Sequence, residues 1–325
     1  MDAIRAVSPP AVKAPLRGVR DSCATMLQAM QMLNRSRVRP SLRVLSCKWQ
    51  FCKRYVANGC RVKRILTLPH KPEPDSVLFK ICHRLGVRMV DRGGIKADLA
   101  IHWEDRTVRQ REATLDRVSL TQPVLNSRCL DISKCRVEVV HQAVFGYGLA
   151  VNPREFTGRC VKKSNENALH DGTIIQGPVA QVDELCVYQR VVNNSRDGKF
   201  VEDIRVPVFG KTIPFCYRKI RPIERRFSNQ NNLAELCEVS EVLSAQEVDL
   251  VLRFCHEMGL DYGEVDVLRD EDDGRIHIID VNNTPFGPPN HLGENDVRQA
   301  LNKLSAAFQS EFLVIGRALV ARSRL

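Results

Sequence analysis

The sequence lacks several features that would assign it to a simple class. Its twelve cysteines include no C-x-x-C pair, so neither a zinc site nor a disulfide framework is indicated, and a reducing cytoplasm is the simplest location. No run approaches the roughly 18 apolar residues of a membrane span. No G-x-G-x-x-G motif is present, which argues against a dinucleotide site. The 325 residues are 43% hydrophobic, enough for a sizeable globular core.

Acidic residues are scarce at the start of the chain. Residues 1–66 hold fourteen Lys and Arg but only Asp2 and Asp21, a net charge of +12, whereas the whole chain carries +11. Such a segment is typical of a solvated basic arm that contacts an acidic partner or a membrane surface. Its Arg-rich, acid-poor character also resembles an organelle transit peptide, so that interpretation stays open beside the cytoplasmic one. Without interleaved aromatic residues or a recognisable motif, it does not indicate nucleic-acid binding.

A predicted β-hairpin in the C-terminal third is the most informative stretch. Two runs rich in β-branched residues flank an acidic turn that ends in Asp273-Gly274. If the turn is centred near Asp273, Asp266 lies opposite Asp280, and alternation puts Asn282 on the face of Asp280. Two carboxylates across a ladder repel each other, so this all-oxygen set predicts a Mg²⁺ held together with substrate phosphates. A solvated hairpin with outward-facing charges is the alternative.

Other patterns predict a mixed α/β chain. Ser133 caps a predicted helix that Gly146 ends, and Ser244 with Glu247 forms a capping box for a second helix. A strand over 158–163 leads into a polar stretch, 164–172, that is typical of a mobile loop. Residues 173–176, followed by Gly177-Pro178, close this loop. Further elements are predicted as strands over 61–68, 87–90, 98–102, 185–192, 201–209 and 212–217, a helix over 75–85, and a long C-terminal helix containing Val297, Leu301, Leu304, Phe308 and Phe312.

The order of these motifs resembles the ATP-grasp fold, most closely the ribosomal-protein glutamate ligases and related peptide ligases. The matching residues, in chain order, are Lys134, Lys163, 164–172, Val187-Tyr188-Gln189-Arg190, Asp203-Ile204-Arg205, Tyr217-Arg218, Asp266 and Asp280-Val281-Asn282. Two positions depart from the family, which usually has Glu where Asp280 and Gln189 stand. The resemblance implies an ATP-grasp domain over 125–325, after a basic arm at 1–40 and a small α/β region at 41–124.

The resemblance also implies a role for each matching residue. Mg²⁺, with Mn²⁺ as an alternative, would bind Asp266, Asp280 and Asn282. ATP would bind the lysines, the polar loop and the adenine edge, here Lys134, Lys163, Ser164, His170, Gly172, Tyr188, Gln189 and Val191. Arg205, Arg218 and Lys163 would act on the transferred phosphoryl group. Lys162 rivals Lys163, because spacing alone does not choose between them.

The activity implied by this resemblance is that of an ATP-dependent carboxylate–amine ligase acting on an acidic small molecule or peptide. An acyl phosphate would form from ATP and would then be passed to an amine. Two alternatives stay open: an ATP-grasp kinase that phosphorylates a hydroxyl, and a non-catalytic nucleotide-binding scaffold whose basic arm binds an acidic partner.

Overall fold

The computed structural model describes residues 62–92, 94, 96–228 and 230–314, all within one unit of the chain, residues 51–325. The predicted basic arm, 1–40, lies outside the described residues. The α-helices are α1 Val77–Leu85, α2 Ala113–Ser119, α3 Lys134–Phe145, α4 Ala245–Met258 and α5 Glu294–Phe308. The strands are β1 Arg64–Pro69, β2 Arg88–Val90, β3 Leu99–Trp103, β4 Val124–Leu125, β5 Gly158–Ser164, β6 Thr173–Gly177, β7 Cys186–Arg190, β8 Ser195–Arg196, β9 Phe200–Phe209, β10 Cys216–Pro222, β11 Leu233–Cys237, β12 Tyr262–Arg269 and β13 Ile276–Asn282. In this part of the chain no helix is both long and apolar enough to pass through a membrane.

A parallel sheet and its helices form the first part of the described chain. Its strand order is β2-β1-β3-β4. Ser76 caps α1 by accepting a hydrogen bond from the backbone N–H of Phe79, and Gly86, with a φ of 65°, ends the helix. The apolar stripe of α1, including Leu78 and Ile81, is fully buried. The predicted strand–helix–strand pattern of this region is therefore confirmed.

An antiparallel sheet forms the centre of the molecule. Its order is β11-β10-β9-β12-β13, with β8 paired to β9. Helices α3 and α4 supply apolar side chains, including Val137 and Phe254, to the core over one face of this sheet. Both helices begin and end where the sequence predicts: the Ser244 capping box is present, and Gly146 and Gly259 take left-handed conformations at the carboxyl ends.

A smaller antiparallel sheet, in the order β6-β5-β7, carries the predicted lysine strand and the strand of the adenine edge. Within it, Lys163 pairs with Val187, and Lys162 pairs with Tyr188. The polar loop 164–172 connects β5 to β6. Together with the two larger sheets, this gives the mixed α/β architecture that the sequence predicts.

One strand lies later than predicted. The strand expected over 212–217 begins only at Cys216 and continues to Pro222. Before it, Thr212 makes an isolated bridge to Phe209, and Pro214 offers no N–H to a ladder. The later start brings Lys219 and Arg221 onto the strand.

The two faces of the central sheet have different characters at the centre of the molecule. Even-numbered residues of β9, such as Val206, face the core beneath α3 and α4. On the opposite face, Phe209, Tyr217 and Tyr262 pack against Phe308 of α5 and the first α/β region. Further along the same strands, this second face becomes charged. The candidate site lies on that charged part.

Candidate active site

The charged part of the central sheet forms one wall of a pocket of about 130 Å³. The wall carries side chains from β9, β10, β12 and β13, while α3, β5, the loop 164–172 and the segment after β10 supply the rest. The lining residues are Lys134, Lys163, Glu166, Ala168, Leu169, His170, Asp171, Gly172, Asp203, Arg205, Lys219, Arg221, Arg226, Phe227, Ser228, Asp266, Ile279 and Asp280. Of the residues predicted from the sequence, both lysines, His170, Gly172, Arg205, Asp266 and Asp280 thus come together here.

A β-bulge aims the predicted carboxylate pair into this pocket. Asp266 is opposite Asp280, as predicted, but the next pair is Val267 with Ile278, so Ile279 is an extra residue. Ile278 and Val281 both point into the core, which strict alternation would not allow. The bulge thus lets both residues enter the core while Asp280, paired with Asp266, keeps the face of Asp266.

Asp266 is the centre of a buried ion network. Nε and Nη2 of Arg205 donate hydrogen bonds to its two carboxylate oxygens at 2.9 and 3.0 Å, and Nζ of Lys219 donates a third at 3.0 Å. Burial opposes the charged form of Asp266, but the two cations outweigh burial and hold its pKa well below the usual range. Burial and the charge of Arg205 lower the pKa of Lys219. Cationic side chains, rather than a metal alone, thus balance the facing carboxylates.

The two predicted lysines differ in their surroundings. Nζ of Lys134 donates hydrogen bonds to Oδ1 of Asp280 at 2.7 Å and to Oδ1 of Asn167 at 3.0 Å. Lys163 makes no hydrogen bond or ion pair with any described residue, and burial together with the charge of Lys134 lowers its pKa to about 8. Lys163 is half-buried, and an ammonium in such a position without a partner favours an anionic ligand. Lys162 instead forms an ion pair with Asp183 at 3.0 Å and lies outside the pocket.

The loop 164–172 lies against the hairpin and α3. The side chain of Asn167 donates to the carbonyl oxygen of Val281 at 3.1 Å, and its backbone N–H donates to Oγ1 of Thr107 at 2.9 Å. Gly172 faces the ring of Phe227 so closely that a Cβ there would lie 2.5 Å from it. Only glycine allows this approach. Ser164, predicted to contact ATP, accepts a hydrogen bond from the N–H of Glu166 and does not line the pocket.

The predicted adenine edge is not part of the pocket. Nε2 of Gln189 donates to Oε2 of Glu138 at 2.6 Å, and the hydroxyl of Tyr188 accepts from the backbone N–H of Asp183 at 3.0 Å. Successive residues of a strand face opposite ways, so Tyr188 and Gln189 cannot line one surface. Neither they nor Val191 are among the pocket residues.

Arg218 lies on the other face of the central sheet, and the expectation that it would join Arg205 is wrong. Arg218 pairs with Ile204, a core-facing position, whereas Tyr217 pairs with Arg205. Its side chain lies 3.4 Å from Glu202 and lines a separate polar cavity of about 790 Å³. That larger cavity holds none of the other predicted site residues. Alternation instead brings Lys219 to Asp266.

Two residues of the site escape prediction from the motifs. Lys219 follows the predicted arginine by one position. Glu264 precedes Asp266 by two positions and shares its face. Glu264 is only 3% exposed, its Oε2 atom has no hydrogen-bond partner, and burial raises its pKa to about 7. The period-two pattern of β12, extended from Asp266, would have identified Glu264, and that of β10, extended from Tyr217, would have identified Lys219.

The donor atoms fit a hard divalent cation. Glu264 is opposite Asn282, and Asp266 is opposite Asp280, so four oxygen-bearing side chains form adjacent pairs across β12 and β13. Mg²⁺ prefers such oxygen ligands. Oε2 of Glu264 is unpartnered, whereas Oδ1 of Asn282 accepts a hydrogen bond from the N–H of Thr284 at 3.0 Å. Asn282 is not among the pocket residues, so the predicted third ligand lies beside the pocket rather than in it.

A second cluster that could ligate a metal lies at the hairpin turn, away from the pocket. It consists of Asp270, Asp273 and His277. Nη1 of Arg190 already donates to Asp270 at 2.7 Å, and the same arginine lies 3.5 Å from the ring of His277. A guanidinium in this position opposes a metal cation. The pocket, rather than the turn, is therefore the better metal candidate.

Comparison with known proteins gives matches among solved structures. No protein-family model matches the chain, and no curated protein matches its sequence. The ATP-grasp ligase PsnB, complexed with a minimal precursor, has 13% sequence identity and a TM-score of 0.48, covering 76% of this chain and 99% of that chain. D-alanine–D-alanine ligase from Bacillus anthracis, complexed with ATP, has 14% identity and a TM-score of 0.49, covering 79% and 99%.

A RimK domain ATP-grasp protein from Sphaerobacter thermophilus is a third match, with 12% identity and a TM-score of 0.47 over 78% of this chain and 100% of that chain. These solved ATP-grasp proteins are what this chain is similar to.

Proposed function

We propose that this chain is an ATP-grasp enzyme that activates a carboxylate with ATP and joins it to an amine. The observation that carries the proposal is the pocket itself. It combines a half-buried Lys163 that has no partner among the described residues, a second lysine, a carboxylate pair and the loop 164–172. Phosphoryl transfer requires positioning and charge neutralisation more than covalent catalysis, and this pocket offers both.

Lys134 and Lys163 bind the nucleotide phosphates as point charges. Lys163 has no counter-charge of its own, so a phosphate oxygen relieves the cost of its burial. Asn165 links the loop to α3, since its backbone and side-chain oxygens accept hydrogen bonds from the N–H groups of Lys134 and Cys135. This contact holds the loop 164–172 beside the phosphates, where it excludes water.

Arg205 and Lys219 stabilise the transferred phosphoryl group. A carboxylate oxygen of the acid substrate attacks the γ-phosphorus, the bond from that phosphorus to the ADP oxygen breaks, and an acyl phosphate forms. The amine then attacks the acyl carbon, phosphate leaves with the bonding electron pair, and the amine loses a proton. Guanidinium and ammonium groups neutralise the charge that spreads over the phosphoryl oxygens.

A divalent cation would bind Asp266 and Asp280, with Glu264 and Asn282 beside them. When bound, Mg²⁺ neutralises charge on the β- and γ-phosphates. Asp266 and Asp280 are ion-paired with Arg205 and Lys134 in this structure. These cations therefore need to transfer part of their contacts to the phosphates when nucleotide and metal bind.

The test is ATP turnover with candidate acids in the presence of hydroxylamine, which traps an acyl phosphate as a hydroxamate. ADP release with hydroxamate formation is the expected result, and fractions of a metabolite extract supply the acids. A phosphorylated product without hydroxamate would indicate a kinase. ATP binding without turnover in any fraction would indicate a non-catalytic scaffold and would refute the ligase proposal.

A further inference from the structure

Arg205 lies between two carboxylates of one strand. Glu264 and Asp266 are two residues apart on β12, so both side chains face Arg205 on the neighbouring strand β9. Nε and Nη2 of Arg205 bind Asp266 at hydrogen-bond distance. Nη1 points toward Glu264, 3.6 Å from Oε2. The guanidinium is thus bonded to one carboxylate and within a short movement of the other.

The contacts of Glu264 in this structure do not explain why a carboxylate is buried at this position. It is 3% exposed, and Oε2 accepts no hydrogen bond. The hydroxyls of Tyr217 and Tyr262, on the same face, are also buried without a partner and do not bond to it. An unsatisfied buried carboxylate is costly, and such groups in folded proteins call for an explanation.

We propose that Glu264 is a positioning residue that receives the guanidinium of Arg205 when Asp266 turns to the divalent cation arriving with the nucleotide. This inference rests on the proposed function, because it concerns the metal of that site. Oδ2 of Asp266 already accepts hydrogen bonds from both Arg205 and Lys219, so a divalent cation bound to both carboxylate oxygens must displace one of these donors, and its charge repels the guanidinium. Among the described residues, Arg205 forms ion pairs with Glu264 and Asp266, so without Glu264 a released Arg205 would depend on the nucleotide phosphates alone for counter-charge.

The neutral variants Glu264→Gln and Glu264→Met test this. Protein saturated with the non-hydrolysable analogue AMP-PNP is titrated with Mg²⁺, and metal binding is followed calorimetrically. We expect both variants to require about tenfold more Mg²⁺ for half-saturation, because Arg205 keeps its hydrogen bonds to Asp266 and competes with the metal. Affinity for AMP-PNP without Mg²⁺ should change less than about twofold, since Lys134 and Lys163 carry that contact.

Two controls separate this role from general damage. Glu202→Gln removes a glutamate on the opposite face of the same sheet, where it lies near Arg218, and should leave both affinities unchanged. Glu264→Asp keeps the charge and should recover most of the Mg²⁺ affinity. Thermal melting should show the neutral variants folded, with melting temperatures at or above that of the wild type.

The outcomes are distinguishable. Unchanged Mg²⁺ dependence in both neutral variants would overturn this inference and leave the proposed function standing. Equal losses of AMP-PNP affinity with and without Mg²⁺ would assign Glu264 a merely structural role and overturn it too. A wild-type protein that binds no AMP-PNP in the presence of Mg²⁺ would refute the proposed function and this inference together.

Discussion

Replacement of Lys163 by methionine should make the ligand-free protein more stable and its nucleotide binding weaker. Burial and Lys134 lower the pKa of Lys163 from 10.5 to about 8. Each pKa unit corresponds to about 1.4 kcal/mol, so keeping this lysine charged costs the folded state on the order of 3 kcal/mol at pH 7. Methionine fills a similar volume without a charge. Lys163→Met should therefore raise the free energy of unfolding by about 1 to 3 kcal/mol.

The pH dependence of stability provides a second test of whether charged Lys163 destabilises the folded protein. The unfolded chain binds the Lys163 proton more strongly than the folded chain between about pH 8 and 10.5. The contribution of Lys163 to stability therefore rises with pH across that window and is flat below it. In Lys163→Met this rise should be absent.

The assays are urea unfolding from pH 7 to 10 and binding of an ATP analogue at pH 7. Loss of one phosphate-binding charge should lower the affinity for the ATP analogue by about tenfold or more. Lys162→Met is the matched control, because the neighbouring lysine is ion-paired with Asp183 and lies outside the pocket. A Lys163→Met protein that is no more stable than the wild type, with unchanged nucleotide affinity, would refute the assignment of Lys163.

Three further predictions concern other parts of the pocket. Asp280→Asn should weaken Mg²⁺ binding in the presence of nucleotide by at least about tenfold while the protein stays folded. Asp266→Asn leaves Arg205 and Lys219 without their shared carboxylate, so it should also lower the free energy of unfolding in urea by about 3 to 5 kcal/mol. Equal stability of the two variants would contradict the ion network around Asp266. Lys219→Met should lower ATP turnover by about 100-fold, and Arg218→Met on the opposite face should not change it; the reverse ranking would contradict the strand assignment. Gly172→Ala places a methyl group against the ring of Phe227, and this overpacking should cost about 1 to 3 kcal/mol. The loop 164–172 would then be displaced, so nucleotide affinity measured by titration should fall. An unchanged affinity would contradict a role of this loop at the nucleotide.

Much of the local structure follows from the sequence. Ser133 and Ser244 have hydroxyls that cap helix N-termini, and the glycines after these helices adopt the left-handed conformation that other residues disfavour. The hairpin and the pairing of Asp266 with Asp280 also follow, because the acidic turn separates two runs rich in β-branched residues. These features depend on residues close together in the chain.

Which side chains share the pocket depended on strand register, which the sequence constrained only in part. The strand predicted to end at Tyr217 begins at Cys216 instead. Alternation along it places Arg218 on the face of the central sheet away from the pocket and Lys219 on the face that lines the pocket. Gln189 meets Glu138 from α3, a contact between segments 51 residues apart that no local pattern predicts.

The sequence by itself determined the order of the motifs, the helix ends and the facing carboxylates, because each depends on local propensity and on a period of two or 3.6 residues. Tertiary structure decided the rest. Only the bulge at Ile279 lets Ile278 and Val281 both enter the core while Asp280 keeps the face of Asp266, and only the packing of β9 beside β12 places Arg205 between Asp266 and Glu264. Charges on separate strands acquire shifted pKa values and partners from their neighbours in space, and those neighbours are fixed by sheet register and burial.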